Sequence, residues 1–348
     1  MRIFLLFMLS FYIAACSPNE ETAPSTQTPL DQLSSSTLDS LIKLHPDSIE
    51  LFIARANKRW DNVLEENGLG PFLEDAAEAF KLDSNRVDVR LLYAKALLNN
   101  PKIITADKIN SKRIFQSVLA KDSNNVAALL GMANHYGIDQ NIDEAFKFIN
   151  KALRINPKYR DAYVLKGSIY KTLKNYKLML SSYETAISLD PKYLEGYLII
   201  GAYYQFINNP LCIEYYTSAY TAKPNDPDVI YPLAYAYEKF SKDSTAMKYY
   251  RQMAAVDKTY YVAYFHIGNL KQYTYNESDS AFYYYDLALK YQPNHVPSLH
   301  NKGLLYEQIK DPTNALFTYA KALKIDPKFA PTKARVKALK GSALRTIK

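Results

Sequence analysis

Glycine, histidine and cysteine are scarce in this 348-residue chain, which contains ten, five and two of them. It has no glycine-rich phosphate loop, no His-Glu-x-x-His and no Cys-x-x-Cys, so the common nucleotide and zinc motifs are absent. Gly-x-Ser-x-Gly is missing too, which removes the usual nucleophile elbow of hydrolases. No two histidines stand at helical metal-ligand spacing. We therefore expect no cofactor, no metal site and no enzymatic activity.

The first sixteen residues contain an apolar run that is too short to cross a membrane. Residues 3–13 are mostly apolar, follow Arg2 and precede two alanines and Cys16. A transmembrane helix needs roughly 20 apolar residues. A positive charge, a short apolar stretch and small residues are instead typical of a secretory signal peptide, which we predict for 1–15.

The end of this segment, Ile13-Ala14-Ala15-Cys16, resembles the lipobox of bacterial lipoproteins. The resemblance implies cleavage before Cys16 and acylation of that cysteine, and two or more acyl chains anchor a protein stably. Because Ser17 is not the aspartate that resembles an inner-membrane retention signal, it implies a lipid-anchored protein of the outer membrane of a Gram-negative envelope. The periplasmic or surface face stays open, and a plain signal peptide with a chance cysteine is the alternative.

Residues 16–36 are rich in Ser, Thr and Pro and poor in large apolar side chains. Such a composition is typical of a flexible tether, and about twenty residues reach roughly 25 Å as a coil. If Cys16 is acylated, Cys212 has no partner for a disulfide, and we expect it to be a small buried packing residue.

Two stretches of the chain repeat one pattern with a period of 34 residues. The first contains Tyr163, Gly167, Tyr170, Tyr183, Ala186 and Pro191, and the second contains Leu299, Gly303, Tyr306, Tyr319, Ala322 and Pro327. Spacings of three and four within each half place the apolar residues on one helix face, and the proline follows the second helix. Each unit is therefore predicted to be a helix, a turn, a helix and a stop.

This pattern resembles the tetratricopeptide repeat (TPR). Six units follow it, namely 126–159, 160–193, 194–226, 227–260, 261–295 and 296–329, and residues 37–125 follow it loosely as degenerate N-terminal repeats. The resemblance implies an all-α fold, a right-handed superhelical α-solenoid of helix-turn-helix repeats in which neighbouring units complete the core. It also implies a protein that binds protein or peptide partners.

The positive charge of the chain is concentrated at its C-terminal end. The formal net charge is +8, and residues 328–348 contain seven Lys and Arg and no acid. A nucleic-acid-binding protein more often spreads its basic residues along the binding face, so we expect no nucleic acid partner. Apolar residues at helical spacing within 330–348 predict a basic capping helix that covers the last repeat. Contact with anionic lipid or an acidic partner is the alternative for this helix.

A partner surface can be placed by position within the repeat. The resemblance implies that positions 2, 5, 9 and 12 of each first helix line a concave groove, beside the positions that face the core. In the six units this stripe predicts the following partner-binding residues: Lys171, Gln205, Tyr231, Tyr235, Phe265, Asn269, Gln272 and His300. Exposed aromatic side chains with polar neighbours are common in protein and peptide hot spots.

These observations favour a non-catalytic adaptor or scaffold, a lipid-anchored array that binds envelope proteins or peptides in its groove. The alternative is a glycan- or nutrient-binding surface lipoprotein. One such family is built on similar repeats but adds long insertions, whereas the turns after residue 126 are short in this sequence.

Overall fold

The computed structural model describes residues 29–61, 69–100, 102 and 104–345. The described residues are all-helical, with eighteen α-helices and no strand, and consecutive helices pack as pairs. The prediction of an all-α fold built from helix pairs is therefore confirmed. The predicted signal peptide, the lipidation site Cys16 and the first part of the tether lie outside the described residues.

The chain divides into two compact units, residues 1–148 and 149–348. Seven helices begin in the first unit, and the last of them contains the division. Their bounds are α1 Ser35–Leu44, α2 Ile49–Asp61, α3 Leu69–Leu82, α4 Val87–Leu98, α5 Thr105–Lys121, α6 Val126–Ile138 and α7 Ile142–Ile155. Within this unit α2 packs on α3, and α4 packs on α5.

The helical part of the first unit begins earlier than the sequence predicts. The tether was expected to extend to residue 36, but Leu30–Gln32 form a 3-10 turn and α1 begins at Ser35. Leu30 and Leu33 pack against the buried side chain of Leu38 and its neighbours. The predicted end of the tether is therefore wrong, because two leucines give this segment an apolar surface to bury.

A buried carboxylate joins the helices of the first pair. Asp75 on α3 is 1 % exposed, and both of its oxygens accept hydrogen bonds from arginines on α2. Arg55 Nη2 lies 2.6 Å from Asp75 Oδ1, and Arg59 Nη1 lies 2.6 Å from Oδ2. Arg55 also donates to Asp39 on α1 at 2.7 Å. This network links three consecutive helices where the repeat pattern is weakest.

The second unit contains five regular helix pairs and a terminal helix. The pairs are α8 Arg160–Thr172 with α9 Tyr176–Leu189, α10 Leu194–Phe206 with α11 Cys212–Ala222, α12 Pro227–Lys239 with α13 Asp243–Val256, α14 Tyr261–Asn269 with α15 Ser278–Tyr291, and α16 Val296–Gln308 with α17 Pro312–Ile325. A π-helical turn, Leu270–Thr274, extends α14 where the sequence has one extra residue. The terminal helix is α18, Ala330–Arg345.

A glycine on the first helix and a tyrosine on the second fix the spacing within most of these pairs. A Cβ added to Gly303 would lie 2.3 Å from Tyr319 Cε1, and one added to Gly201 would lie 2.6 Å from Tyr216 Cε1. Both tyrosines are almost fully buried. The same arrangement joins Gly167 to Tyr183, so the glycine leaves room for the tyrosine ring of its own repeat.

The turn inside each regular unit has a residue in the left-handed region of φ. The second residue after the first helix, or after its π-helical extension in α14, has φ between 54° and 60° in every case, although no glycine occupies the position. These residues are Gln140, Lys174, Asn208, Ser241, Asn276 and Lys310. A left-handed residue after a helix ends it with backbone hydrogen bonds to its last carbonyls, as when Asn175 N–H donates to Tyr170 O at 2.9 Å.

Candidate functional site

The predicted groove residues lie on the first helices of the pairs in the second unit, but their exposure differs. Lys171 and Tyr235 are exposed, whereas Gln205, Tyr231 and Phe265 are half-buried. Asn269 and His300 are half-buried as well, and Gln272 is 2 % exposed. The solvent exposure of the stripe therefore varies from residue to residue. Its aromatic side chains lie on α12 and α14.

In four of the five regular pairs, the twelfth position of the repeat supports a buried tyrosine, whereas Lys171 at this position of the pair α8–α9 is exposed. Tyr285 O–H lies 2.7 Å from Gln272 Oε1, and Tyr216 O–H donates to Gln205 Oε1 at 2.7 Å. Glutamates take the same place in two further pairs and accept from Tyr250 and Tyr319, both at 2.6 Å. Burying a phenol requires a partner for its hydroxyl, and this position supplies it.

Gln272 must therefore be removed from the predicted partner surface. Its amide oxygen is held by Tyr285, and its Nε2 donates to Gln308 Oε1 at 3.1 Å. Gln205 is similarly held through its oxygen, and its Nε2 is buried without a hydrogen-bond partner in the described part of the chain. A tyrosine follows each of these residues by eleven to thirteen positions, but Tyr183 also follows exposed Lys171 by twelve, so the sequence does not distinguish the two roles.

Four rings meet on α12 and α14 and form what we call the aromatic face: Tyr231, Tyr235, Phe265 and His266. The two tyrosine rings are stacked, with centroids 6.1 Å apart and planes 15° from parallel. The imidazole lies 5.7 Å from each tyrosine ring and 5.3 Å from Phe265, in edge-to-face geometry. Tyr235 is 39 % exposed, so the stack ends in solvent.

A polar network lies directly beneath the aromatic face. His266 is buried, and its Nδ1 is 2.8 Å from Glu238 Oε2, which also accepts from Tyr250 O–H. The imidazole stacks on Tyr250 with centroids 4.8 Å apart, and its Nε2 is 3.5 Å from the Tyr231 hydroxyl. These contacts fix the imidazole against which half-buried Tyr231 and exposed Tyr235 pack. His266 is absent from the predicted stripe, because it stands at the sixth position of its repeat and the stripe uses positions 2, 5, 9 and 12.

Two of the other predicted residues connect neighbouring helices. Asn269 Oδ1 accepts from Asn301 Nδ2 at 2.7 Å and lies 3.0 Å from the Tyr285 hydroxyl. His300 Nδ1 lies 2.9 Å from Thr332 Oγ1 on α18. Burial and the nearby Arg335 lower the pKa of His300 below its ordinary value, which favours the neutral ring. Both residues support the array as well as bordering its surface.

The aromatic rings of this face are suited to contacts with apolar or aromatic groups. Glu238, His266 and Tyr231 lie in sequence as carboxylate, imidazole and hydroxyl, but burial, Tyr235 and Glu238 raise the pKa of Tyr231 and make its phenol a poor nucleophile. No group of three His, Cys, Asp or Glu in the described ranges could hold a metal ion. Among these same residues, no helix is long and apolar enough to span a bilayer.

Comparison with known proteins supports the repeat identification. The tetratricopeptide repeat family matches residues 161–193 and 296–329, which contain the pairs α8–α9 and α16–α17. The C-terminal part of a TPR repeat-containing protein from Cytophaga hutchinsonii is similar in structure, with a TM-score of 0.58 and 20 % identity. That match covers 70 % of this chain and 98 % of the other.

A chain of the APC/C hetero-tetramer Cut9–Hcn1 is also similar, with a TM-score of 0.53 and 18 % identity. The match covers 88 % of this chain but only 58 % of that one. At these identities the likeness shows the fold alone, a stack of tetratricopeptide-type helix pairs. No curated protein matches the sequence.

Proposed function

We propose that this chain is a non-catalytic adaptor that binds a segment of a protein or peptide partner on its second unit. The observation that carries the proposal is the aromatic face, in which Tyr231 and Tyr235 are stacked and partly open to solvent. Rigid aromatic side chains give a large contact area at little cost in conformational entropy, and they dominate many interfaces.

The network under the aromatic face favours binding over mere packing. Buried His266 contacts both tyrosine rings and is itself held by Glu238. The rings are therefore ordered before a partner arrives, which lowers the entropic cost of association. The described turns of the second unit are short, so no inserted loop covers this surface or builds a separate glycan pocket beside it.

We infer in addition that the adaptor acts at the bacterial envelope, anchored to the outer membrane through acylated Cys16. The support for this part is the resemblance of residues 13–16 to a lipobox and the signal-like segment before them. The anchor would bring partners of the aromatic face close to the membrane.

Cross-linking in cells tests the binding proposal. We expect that changing Tyr231, Tyr235 and Phe265 together to Ala will abolish capture of the main cross-linked partner, because the aromatic contact area is lost. Identification of captured proteins by mass spectrometry, compared between parent and variant, gives the readout.

A matched variant controls for the loss of exposed rings as such. Tyr273, Tyr283 and Phe317 are 56 %, 60 % and 59 % exposed and lie outside the aromatic face. Changing these three to Ala should leave capture intact. Equal loss in both triple variants, or no loss in the first at an unchanged melting temperature, would rule out the aromatic face as the binding surface.

A further inference from the structure

The terminal helix α18 separates its basic residues between two faces. The inner face packs on the last repeat: Thr332 is fully buried beside His300, and Arg335 Nε donates to Glu307 Oε1 at 3.0 Å. The second nitrogen of the Arg335 fork contacts the other oxygen of Glu307. Arg335 is thus used inside the protein, where its two-pronged geometry suits a carboxylate.

The outer face of α18 bears three lysines at spacings of four and three: Lys333, Lys337 and Lys340. These spacings place the three ammonium groups along one side of the helix. All three side chains are exposed. Within residues 29–345, as far as these are described, no ion pair involves them, and α18 contains no acid.

The lysine row borders a shallow, open cleft between α17 and α18. The cleft has a volume of about 570 Å³ and is lined by Leu323, Val336, Gly341 and the three lysines. Lysine stems can lie along such an apolar surface while the ammonium groups reach a charged layer beyond it. The cleft therefore combines an apolar floor, which includes Leu323 and Val336, with three ammonium groups at its border.

We propose that this outer face of α18 docks on the surface of a bilayer that contains anionic phospholipid. A row of lysines on a helix is attracted to the diffuse negative charge of such a surface. An acidic protein segment is the competing occupant, but discrete carboxylates are bound best by paired donors of arginine. Arg335 is already committed to Glu307, whereas lysines, as hydrated point charges, suit a diffuse layer.

The inference goes beyond the adaptor proposal, because it depends on neither the aromatic face nor Cys16. Each lysine near an anionic surface should raise the partition coefficient about fivefold, and three together about 100-fold. The attraction should be largely screened at about 1 M salt, where the Debye length is about 3 Å.

Vesicle co-sedimentation of the full chain with Cys16→Ser tests the proposal, since this change removes the thiol that an acyl chain needs. We expect binding to vesicles of phosphatidylcholine with phosphatidylglycerol, and little binding to phosphatidylcholine alone. Adding Lys333→Gln, Lys337→Gln and Lys340→Gln should lower the partition coefficient about 100-fold.

The matched control removes the same charge elsewhere. Lys158, Lys192 and Lys258 are exposed in turns between repeats, and their change to Gln should lower binding far less. Equal effects of the two triple variants, or equal binding to neutral vesicles, would overturn the proposal. Displacement of the protein from anionic vesicles by soluble polyglutamate at equal charge concentration would assign the lysine row to an acidic protein partner instead. Circular dichroism of each variant verifies that the helices remain.

Discussion

At the scale of single residues, a tyrosine in the second helix of a repeat connects the core with the partner side of the array. Tyr285 is fully buried, fills the space beside Gly268, and places its hydroxyl near Gln272 at the edge of the predicted groove. Its ring and its hydroxyl therefore make different demands. The ring fits only because the neighbouring helix has glycine, which has no side chain, at position 268. The hydroxyl needs a polar side chain about one helical turn later, which Gln272 supplies.

Changing Gly303 to Ala tests the first demand. The added Cβ would lie 2.3 Å from Tyr319 Cε1, closer than any real contact, so the ring or the helix must shift. Such overpacking costs about 1–3 kcal/mol. We expect a corresponding fall in the free energy of unfolding, measured by urea denaturation.

A second substitution, at Tyr319, shows whether the loss of stability comes from overpacking against its ring or from alanine at position 303 as such. Because Leu is smaller than Tyr, Gly303→Ala and Tyr319→Leu together should cost less than the sum of their separate effects. Gly341→Ala is the control, since no atom lies within 4 Å of its added Cβ and alanine favours the helix. Strict additivity of the first two changes would contradict the proposed role of the glycine.

The sequence predicts part of this residue-scale picture. The recurrence of Gly and Tyr at fixed positions predicts close packing of the two helices. It does not show that Gln272 is sealed under Tyr285 while Tyr235 remains open, because both are polar or amphipathic residues of the same stripe. That distinction depends on side chains from the neighbouring helices, and a single sequence does not identify them.

At the scale of elements, the turn between the two helices of each regular pair contains a residue with left-handed φ that is not glycine. Outside glycine this conformation costs roughly 1–2 kcal/mol, although asparagine tolerates it better. Lys174, with φ of 57°, and Lys310, with φ of 60°, have no such advantage. The packing of the pairs must offset this strain, because the turn cannot.

Lys174→Gly should therefore stabilise the protein by about 1 kcal/mol, since glycine adopts positive φ without a clash. Thermal unfolding monitored at the helix signal measures the effect. Lys248→Gly, an exposed change within α13, should instead destabilise by about 1 kcal/mol. A loss of stability for both variants would show that Lys174 is not strained.

The backbone conformation of these turns is difficult to predict from the sequence. The helix stops can be predicted from the polar break between the two apolar stripes. The left-handed position itself holds Gln, Lys, Asn or Ser, so composition gives no common signal. The regular spacing of the helices imposes the conformation, and only the structure shows it.

At the scale of the whole molecule, the two proposed membrane contacts use different means. Cys16 would supply acyl chains, and the lysine row of α18 would supply charge. Acyl chains and a basic patch are the combination that makes membrane attachment stable.

Cys16→Ser should shift the protein in cell fractions from the membrane to the soluble pool, most completely when the fractions are washed with about 1 M salt. The parent protein should resist the same wash, because salt does not weaken burial of acyl chains. Immunoblotting of the fractions measures the distribution. A parent protein that salt alone releases would argue against acylation at Cys16.

The whole-molecule organisation was predicted unevenly along the chain. The 34-residue period predicts the helix pairs of 160–329, because Gly or Ala, Tyr and Ala recur there with only single-residue departures in length. It predicts less before residue 126, where ion pairs of Asp75 with two arginines join the helices. Ionic contacts between helices leave no periodic apolar pattern, so the sequence does not reveal them.

The position of α18 has a consequence for how long such a chain can become. The helix begins at Ala330, where the first helix of one more repeat would begin, and it contacts the preceding pair through His300 and Glu307. A duplicated copy of 296–329 placed before Ala330 would present the same two side chains to α18. Whole repeats can therefore be added to the array while α18 keeps the same contacts with the last of them.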